Sequence, residues 1–144
     1  MKKNSGKPSE SLFEGVWLRL GKRAYCYRIA DAAEVRGRTG KIGVTRATPS
    51  DYIVSFDGET IYAEVKSTQE KTSFPFSLLK KGQNAAAPQV VSAGGSYIVF
   101  VHHLITGTWY ALPWQVIQAV KDLGRASIPW TELDNFKWTH QPTF

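Results

Sequence analysis

The pattern of apolar and polar positions predicts the element order α-β-β-β-α-β-β-α with a tail. Leu12, Val16, Trp17 and Leu20 recur at helical spacing, so a helix is expected from a cap at Ser9 or Ser11 to about Leu20, stopped by Gly21. Tyr25 to Ile29 reads as the first strand. Two further strands, Asp51–Phe56 and Ile61–Lys66, flank Asp57-Gly58, a strong hairpin signal because both central residues of a type I′ turn need positive φ. Phe74-Pro75-Phe76 leads toward a helix expected near Ser77, with Leu78 and Leu79 in it and Lys80, Lys81 and Gln83 on its exposed side. Tyr97–Val101 is a continuous apolar run suited to a central strand, and Trp109–Leu112 is the next strand. Pro113 opens a last helix that Gly124 closes, with Val116, Ile117 and Val120 facing the core. The tail from Ile128 holds Trp130, Phe136 and Trp138, so it is expected to pack on the body or on a second subunit.

The hairpin carries the chemistry. If Asp57 and Gly58 are the whole loop, Phe56 pairs with Glu59, and counting outward sets Asp51 opposite Glu64. Side chains alternate along a strand, so Glu64 and Lys66 share one face while Ile61, Ala63 and Val65 share the other. Two carboxylates facing each other across a ladder repel. A hard divalent cation removes that repulsion, since Mg²⁺ is held by one or two carboxylates and keeps several waters. Open positions on such an ion suit phosphate oxygens, and the ion can activate water for attack on a phosphoryl group. Lys66 can orient that water or neutralise charge at the scissile phosphate. The other reading of the same residues is an exposed ion pair.

Asp51, a gap of twelve residues and then Glu64-Val65-Lys66 resembles the core of the PD-(D/E)XK nuclease superfamily. The run Glu64-Val65-Lys66-Ser67-Thr68, then Lys71-Thr72-Ser73-Phe74-Pro75-Phe76, then Gln83 looks like RecU-type Holliday-junction resolvases and their phage relatives. Gly6-Lys7, Phe13-Glu14 and Tyr27-Arg28-Ile29-Ala30-Asp31 resemble the opening of phage members. The likeness runs in order over about residues 6 to 113. It implies an α/β, restriction-endonuclease-like core with a mixed central sheet flanked by helices. It also implies Mg²⁺, with Mn²⁺ substituting, bound by Asp51, Glu64 and the Val65 carbonyl. Glu14 would hold a second metal or a metal water, with Glu10 its rival one turn earlier. Gln83 would orient water or contact phosphate, and Lys66 would assist attack. The implied reaction is hydrolysis of branched DNA by a homodimer, in the cytoplasm of a bacterium or a phage-infected host. Three features depart from the family pattern. Gly6-Lys7 and Phe13-Glu14 lie further apart than in relatives. The segment at about 32–50 is shorter than the stalk that RecU-type enzymes push into a junction, and Gln83 follows Gly82 rather than His or Asn.

Charge changes the picture in one direction. The 144 residues carry a formal net charge of +6, which favours acidic partners such as nucleic acid. Arg36, Arg38, Lys41 and Arg46 lie among Gly37, Gly40 and Gly43, a composition that can track phosphates from a flap at about 32–50. Lys71, Lys80 and Lys81 are further candidates. Arg28 either binds phosphate or pairs with Asp31 or a site carboxylate. The organisation expected is a flexible arm at 1–8 and a single nuclease-like domain at 9–144, with the aromatic tail at about 128–144.

Other classes are poorly supported. Cys26 is the only cysteine, which excludes an internal disulfide and a cysteine-cluster zinc site. His102 and His103 are adjacent on a strand, point to opposite faces and read as structural. Neither a secretory h-region, a run of transmembrane length, a nucleotide-binding glycine loop nor a nucleophile elbow is present, so neither a membrane nor a nucleotide cofactor is expected. Three alternatives remain: a restriction-like or repair endonuclease with the same residues, a non-catalytic DNA-binding module, and an interaction subunit using its aromatic tail.

Overall fold

Asp57-Gly58 makes the tight turn its chemistry predicts. In the computed structural model, which describes residues 6–29 and 48–139, Asp57 has φ 56° and Gly58 φ 77°. The turn joins β2 (Tyr52–Phe56) to β3 (Glu59–Thr68), with Phe56 opposite Glu59 and Tyr52 opposite Ala63. The expected register is the observed one.

Around this hairpin stand β1 (Ala24–Arg28), β5 (Ser96–His103) and β6 (Thr108–Pro113). The sheet order is β1-β2-β3-β5-β6, antiparallel throughout except for the parallel pair β3 and β5. Parallel neighbours require a crossover. It consists of the short strand β4 (Ser73–Pro75), a 3₁₀ turn at Phe76–Leu78 and helix α2 (Lys81–Ser92). β4 pairs with β7 (Ser127–Pro129) in a separate two-stranded sheet. Neither of these two short, proline-ended strands stands out in the sequence.

Two apolar layers hold the sheet. Helix α1 (Gly6–Leu18) buries Phe13, Val16 and Trp17 against Tyr52, Val54, Ala63 and Val65 on one face. On the other face, α2 and α3 (Trp114–Asp122) bury Ala87, Trp114 and Ile117 against Tyr97, Val99 and Val101. This is the mixed sheet flanked by helices that the sequence led us to expect.

Three local expectations are corrected. The first helix begins at Gly6 and ends at Leu18, so neither Ser9 nor Ser11 starts it. The Ser9 hydroxyl instead meets His102 Nδ1 at 2.8 Å in a buried contact. The helix expected near Ser77 starts at Lys81, because Phe74, Phe76 and Leu79 are all buried and hold the chain in a short strand and turn up to Lys80. Gln83 is buried, not exposed, and its Oε1 accepts the Lys80 N–H at 2.7 Å. It satisfies a donor that the helix start would otherwise leave unpaired.

The aromatic tail packs on the body. Trp130 and Trp138 are buried, and the Trp138 N–H donates to the Trp109 carbonyl at 2.9 Å. His102 stacks on Trp109 and His103 on Trp130, at centroid distances of 4.5 and 4.1 Å, which gives each imidazole its own partner. Among the described residues no helix is long and apolar enough to cross a membrane.

Candidate active site

At the open end of the hairpin, side chains replace the ladder. The Asp51 N–H donates to Glu64 Oε1 at 3.1 Å, and the Val65 N–H donates to Asp51 Oδ2 at 3.0 Å. Each carboxylate is therefore aimed by the opposite strand's backbone. On its other side, the Asp51 carbonyl accepts the Ile29 N–H at 2.8 Å. Asp51 is thus gripped from both neighbouring strands. Just upstream, the buried Ser50 hydroxyl donates to the Tyr52 carbonyl at 2.9 Å and fixes the bend into β2.

Glu64 is 2 % exposed and Lys66 Nζ lies 3.2 Å from its Oε2. Burial, then the negative charge of Asp51, pushes the Glu64 carboxyl up to about 8, against the opposing pull of Lys66. Tyr97 lies near the pair: its phenol donates to the Pro49 carbonyl, and burial followed by the charges of Glu64 and Asp51 raises its pKa. The sequence shows Tyr97 only as part of an apolar strand, with no signal of this proximity.

Glu14 goes elsewhere. It projects from α1, on the sheet face opposite Glu64, and its Oε2 accepts the Tyr52 hydroxyl at 2.6 Å. Arg28 forms an ion pair with Glu10, lies 3.5 Å from the Tyr52 hydroxyl, and has its guanidinium 5.9 Å from the Tyr52 ring centroid. Glu10, Arg28, Tyr52 and Glu14 therefore form a second polar network, on the α1 side. Tyr52 is the member that sequence reasoning missed, since it reads only as a strand residue. Cys26 lies beside this network, and burial with the Glu14 charge pushes its thiol up to about 12, away from any nucleophilic role.

The remaining candidates are scattered. Gln83 stands at the start of α2 with its carbonyl oxygen committed to the helix cap. Lys71, Lys80 and Lys81 are exposed. Arg36, Arg38, Lys41 and Arg46 lie outside the described residues, as does Asp31.

The residues fit a hard divalent cation. Two carboxylates converge, one of them buried and pushed up by burial and then by the other's charge, with Lys66 the cation pulling it back. Among the described residues no cluster of three or more His, Cys, Asp or Glu side chains exists. An ion held by Asp51 and Glu64 would complete its shell with water, backbone oxygen and substrate phosphate, the pattern Mg²⁺ prefers.

Comparison with known proteins gives two results. The family model described as Recombination protein U matches residues 22–142. Among solved structures the chain is similar to Archaeoglobus fulgidus Hjc, described as a Holliday junction resolvase from an archaeal hyperthermophile. The identity is 15%, over 76% of this chain and 75% of that one, with a TM-score of 0.48. No curated protein matches the chain.

Proposed function

The chain belongs to the RecU family of Holliday-junction resolvases, and on that premise we propose that Asp51, Glu64 and Lys66 form its cutting site for four-way DNA junctions. The observation that carries this reading is that the Asp51 amide aims Glu64 and the Val65 amide aims Asp51, with Lys66 at 3.2 Å from Glu64. Two acids aimed at one point with an ammonium beside them are what phosphodiester hydrolysis needs.

Asp51 and Glu64, with the Val65 carbonyl, would hold Mg²⁺ or Mn²⁺. When bound, the ion polarises the scissile phosphate and lowers the pKa of the attacking water. Lys66 donates to that water or to a phosphate oxygen and offsets the charge that builds up there. Glu14, which accepts the Tyr52 hydroxyl on the other face of the sheet, is left out of the ion site. Gln83 contributes through its amide nitrogen, since its oxygen caps α2. Arg28, Lys71, Lys80 and Lys81, with Arg36, Arg38, Lys41 and Arg46, supply phosphate contacts. Residues 9–144 act as one nuclease domain with a basic flap at about 32–50; of the arm expected at 1–8, residues 6–8 belong to the first turn of α1. Symmetric cuts need two sites, so the working unit is a twofold homodimer.

The test is cleavage of a labelled four-way junction beside a linear duplex of equal length, in Mg²⁺ and in EDTA. Paired, metal-dependent nicks in the junction are the expected result. Equal cutting of both substrates would keep the site and remove the junction selectivity. Binding without cutting in Mg²⁺ or Mn²⁺ would remove the catalytic reading.

A further inference from the structure

Alternate residues of β1 point to opposite sides of the sheet. Ala24 and Cys26 pack on the α1 side, which leaves Tyr25 and Tyr27 on the other, 62% and 53% exposed. Tyr27 pairs with Ile53, Ile53 with Tyr62, and Tyr62 with Tyr97. The Tyr62 and Tyr97 rings stack at 6.3 Å with an interplanar angle of 6°. The next row on this face runs through Ile29, Asp51 and Glu64, joined by the Ile29 and Asp51 amide hydrogen bonds. Rows on one face are two residues apart, about 7 Å, and Tyr27 stands two strands from Glu64, about 10 Å. An exposed aromatic surface therefore adjoins the acidic pair on the same side of the sheet.

We infer that Tyr27 and Tyr25 form a stacking platform for an unpaired nucleobase next to the cleaved phosphate. The inference rests on the resolvase reading above and extends it from the phosphate to the base. Stacking on an aromatic ring needs only a free π-face, whatever the base. In a linear duplex each base is covered by its neighbours. At a branch point the strands part and bases lose one neighbour, so the platform selects branched DNA without reading sequence.

Charge supports a nucleic-acid occupant. Beyond Tyr25 the surface opens into a groove of about 400 Å³, with Lys22 and Arg23 on the β1 side and Asp57 and Glu59 on the turn side. A sugar-phosphate strand leaving Tyr25 follows the cationic side. The chain's net charge of +6 favours an acidic partner. A second copy of the chain seated here would cover the approach to Glu64, which argues against that occupant.

The experiment uses a four-way junction carrying 2-aminopurine beside the branch, with Ca²⁺ in place of Mg²⁺, and the full chain with Tyr27→Ala, Tyr25→Ala or Tyr27→Phe. The wild type should quench the probe. Tyr27→Ala should lose the quenching and about 5- to 100-fold in junction affinity, with a clearly smaller loss on linear duplex. Tyr27→Phe should keep both properties, because the ring suffices. Unchanged quenching and affinity in both alanine variants would overturn the inference, as would an equal loss on junction and duplex. Conversion of a dimer to a monomer by Tyr27→Ala in sedimentation would assign the face to a second copy instead. Failure of the wild type to bind the junction would remove the resolvase reading too, whereas failure confined to the variants' predicted losses leaves it standing.

Discussion

Lys66 Nζ stands 3.2 Å from Glu64 Oε2, and both side chains leave β3 on the same face two residues apart. That ammonium is the positive charge opposing the burial and the Asp51 charge that hold Glu64 protonated. On the proposed reading the same ammonium also serves the attack on phosphate.

Lys66→Met should lower single-turnover cleavage by roughly 10²- to 10³-fold, the size of losing a charged donor at a transition state. Mg²⁺ binding should persist, because losing the ammonium also removes its repulsion of the dication. Junction affinity should change little. Cleavage that survives at more than a tenth of the wild-type rate would remove Lys66 from the chemistry.

The metal-free protein should lose stability as pH rises from 6.5 to 8. Glu64 is raised from 4.5 to about 8 in the fold, so over that range the folded state holds a proton that the unfolded state has released. Stability then falls by about 1.4 kcal/mol per pH unit. His102 and His103 are lowered by burial, so their contribution has the opposite sign and is lost below about 6.5, outside this window. Urea titrations in EDTA should show the slope in the wild type and its absence in Glu64→Gln. A flat wild-type profile would mean that Glu64 ionises freely.

Mg²⁺ should restore what high pH removes. A dication in place of the Glu64 proton stabilises the fold by mass action, so its thermal shift should be larger at pH 8 than at pH 6. Asp51→Asn should abolish the shift and the cleavage while keeping an oxygen for the Val65 N–H. An unchanged shift in Asp51→Asn would place the ion elsewhere.

Gln83 offers a clean separation of roles. Gln83→Ala should cost about 1 kcal/mol, the value of a lost cap, because its oxygen accepts the Lys80 N–H. Gln83→Glu keeps that acceptor. If it restores stability but cleavage stays low, the amide nitrogen acts on water or phosphate; if cleavage also recovers, the residue is structural.

Ser9→Ala removes the partner of His102 Nδ1 in a buried contact between α1 and β5. The expected cost is about 1 to 2 kcal/mol, read as a lower urea midpoint, with the cleavage rate per folded molecule unchanged. A variant as stable as the wild type would show that another group takes over the imidazole.

Local rules made the centre of the molecule legible. Asp57-Gly58 allows only a tight turn, and from it counting alone sets Asp51 opposite Glu64 and Lys66 beside it. The register and the two helical layers follow from alternation and spacing. What stayed hidden depends on contacts between distant segments. β4 and β7 pair across more than fifty residues with prolines in both. Ser9 looks like a helix cap until His102 arrives from β5. Gln83 looks like a surface residue until the buried Phe76 and Leu79 move the helix start to Lys81. Glu14 was legible as a carboxylate on α1, but its commitment to Tyr52 follows from which face that helix covers.

The hydrogen bond from the Ile29 amide to the Asp51 carbonyl makes the chain leave β1 and return to β2 at a single point. Whatever residues 30–50 do, they do it between two adjacent anchors. The closure entropy of such an excursion grows slowly, by about 0.6 kcal/mol for each doubling of its length. Residues 30–48 can therefore be lengthened, shortened or replaced while Pro49 and Ser50 keep their own anchors beside Asp51. On the proposed reading, substrate preference and bond breaking can then change independently, and a graft of a longer segment between Ile29 and Pro49 is an engineering route the fold leaves open.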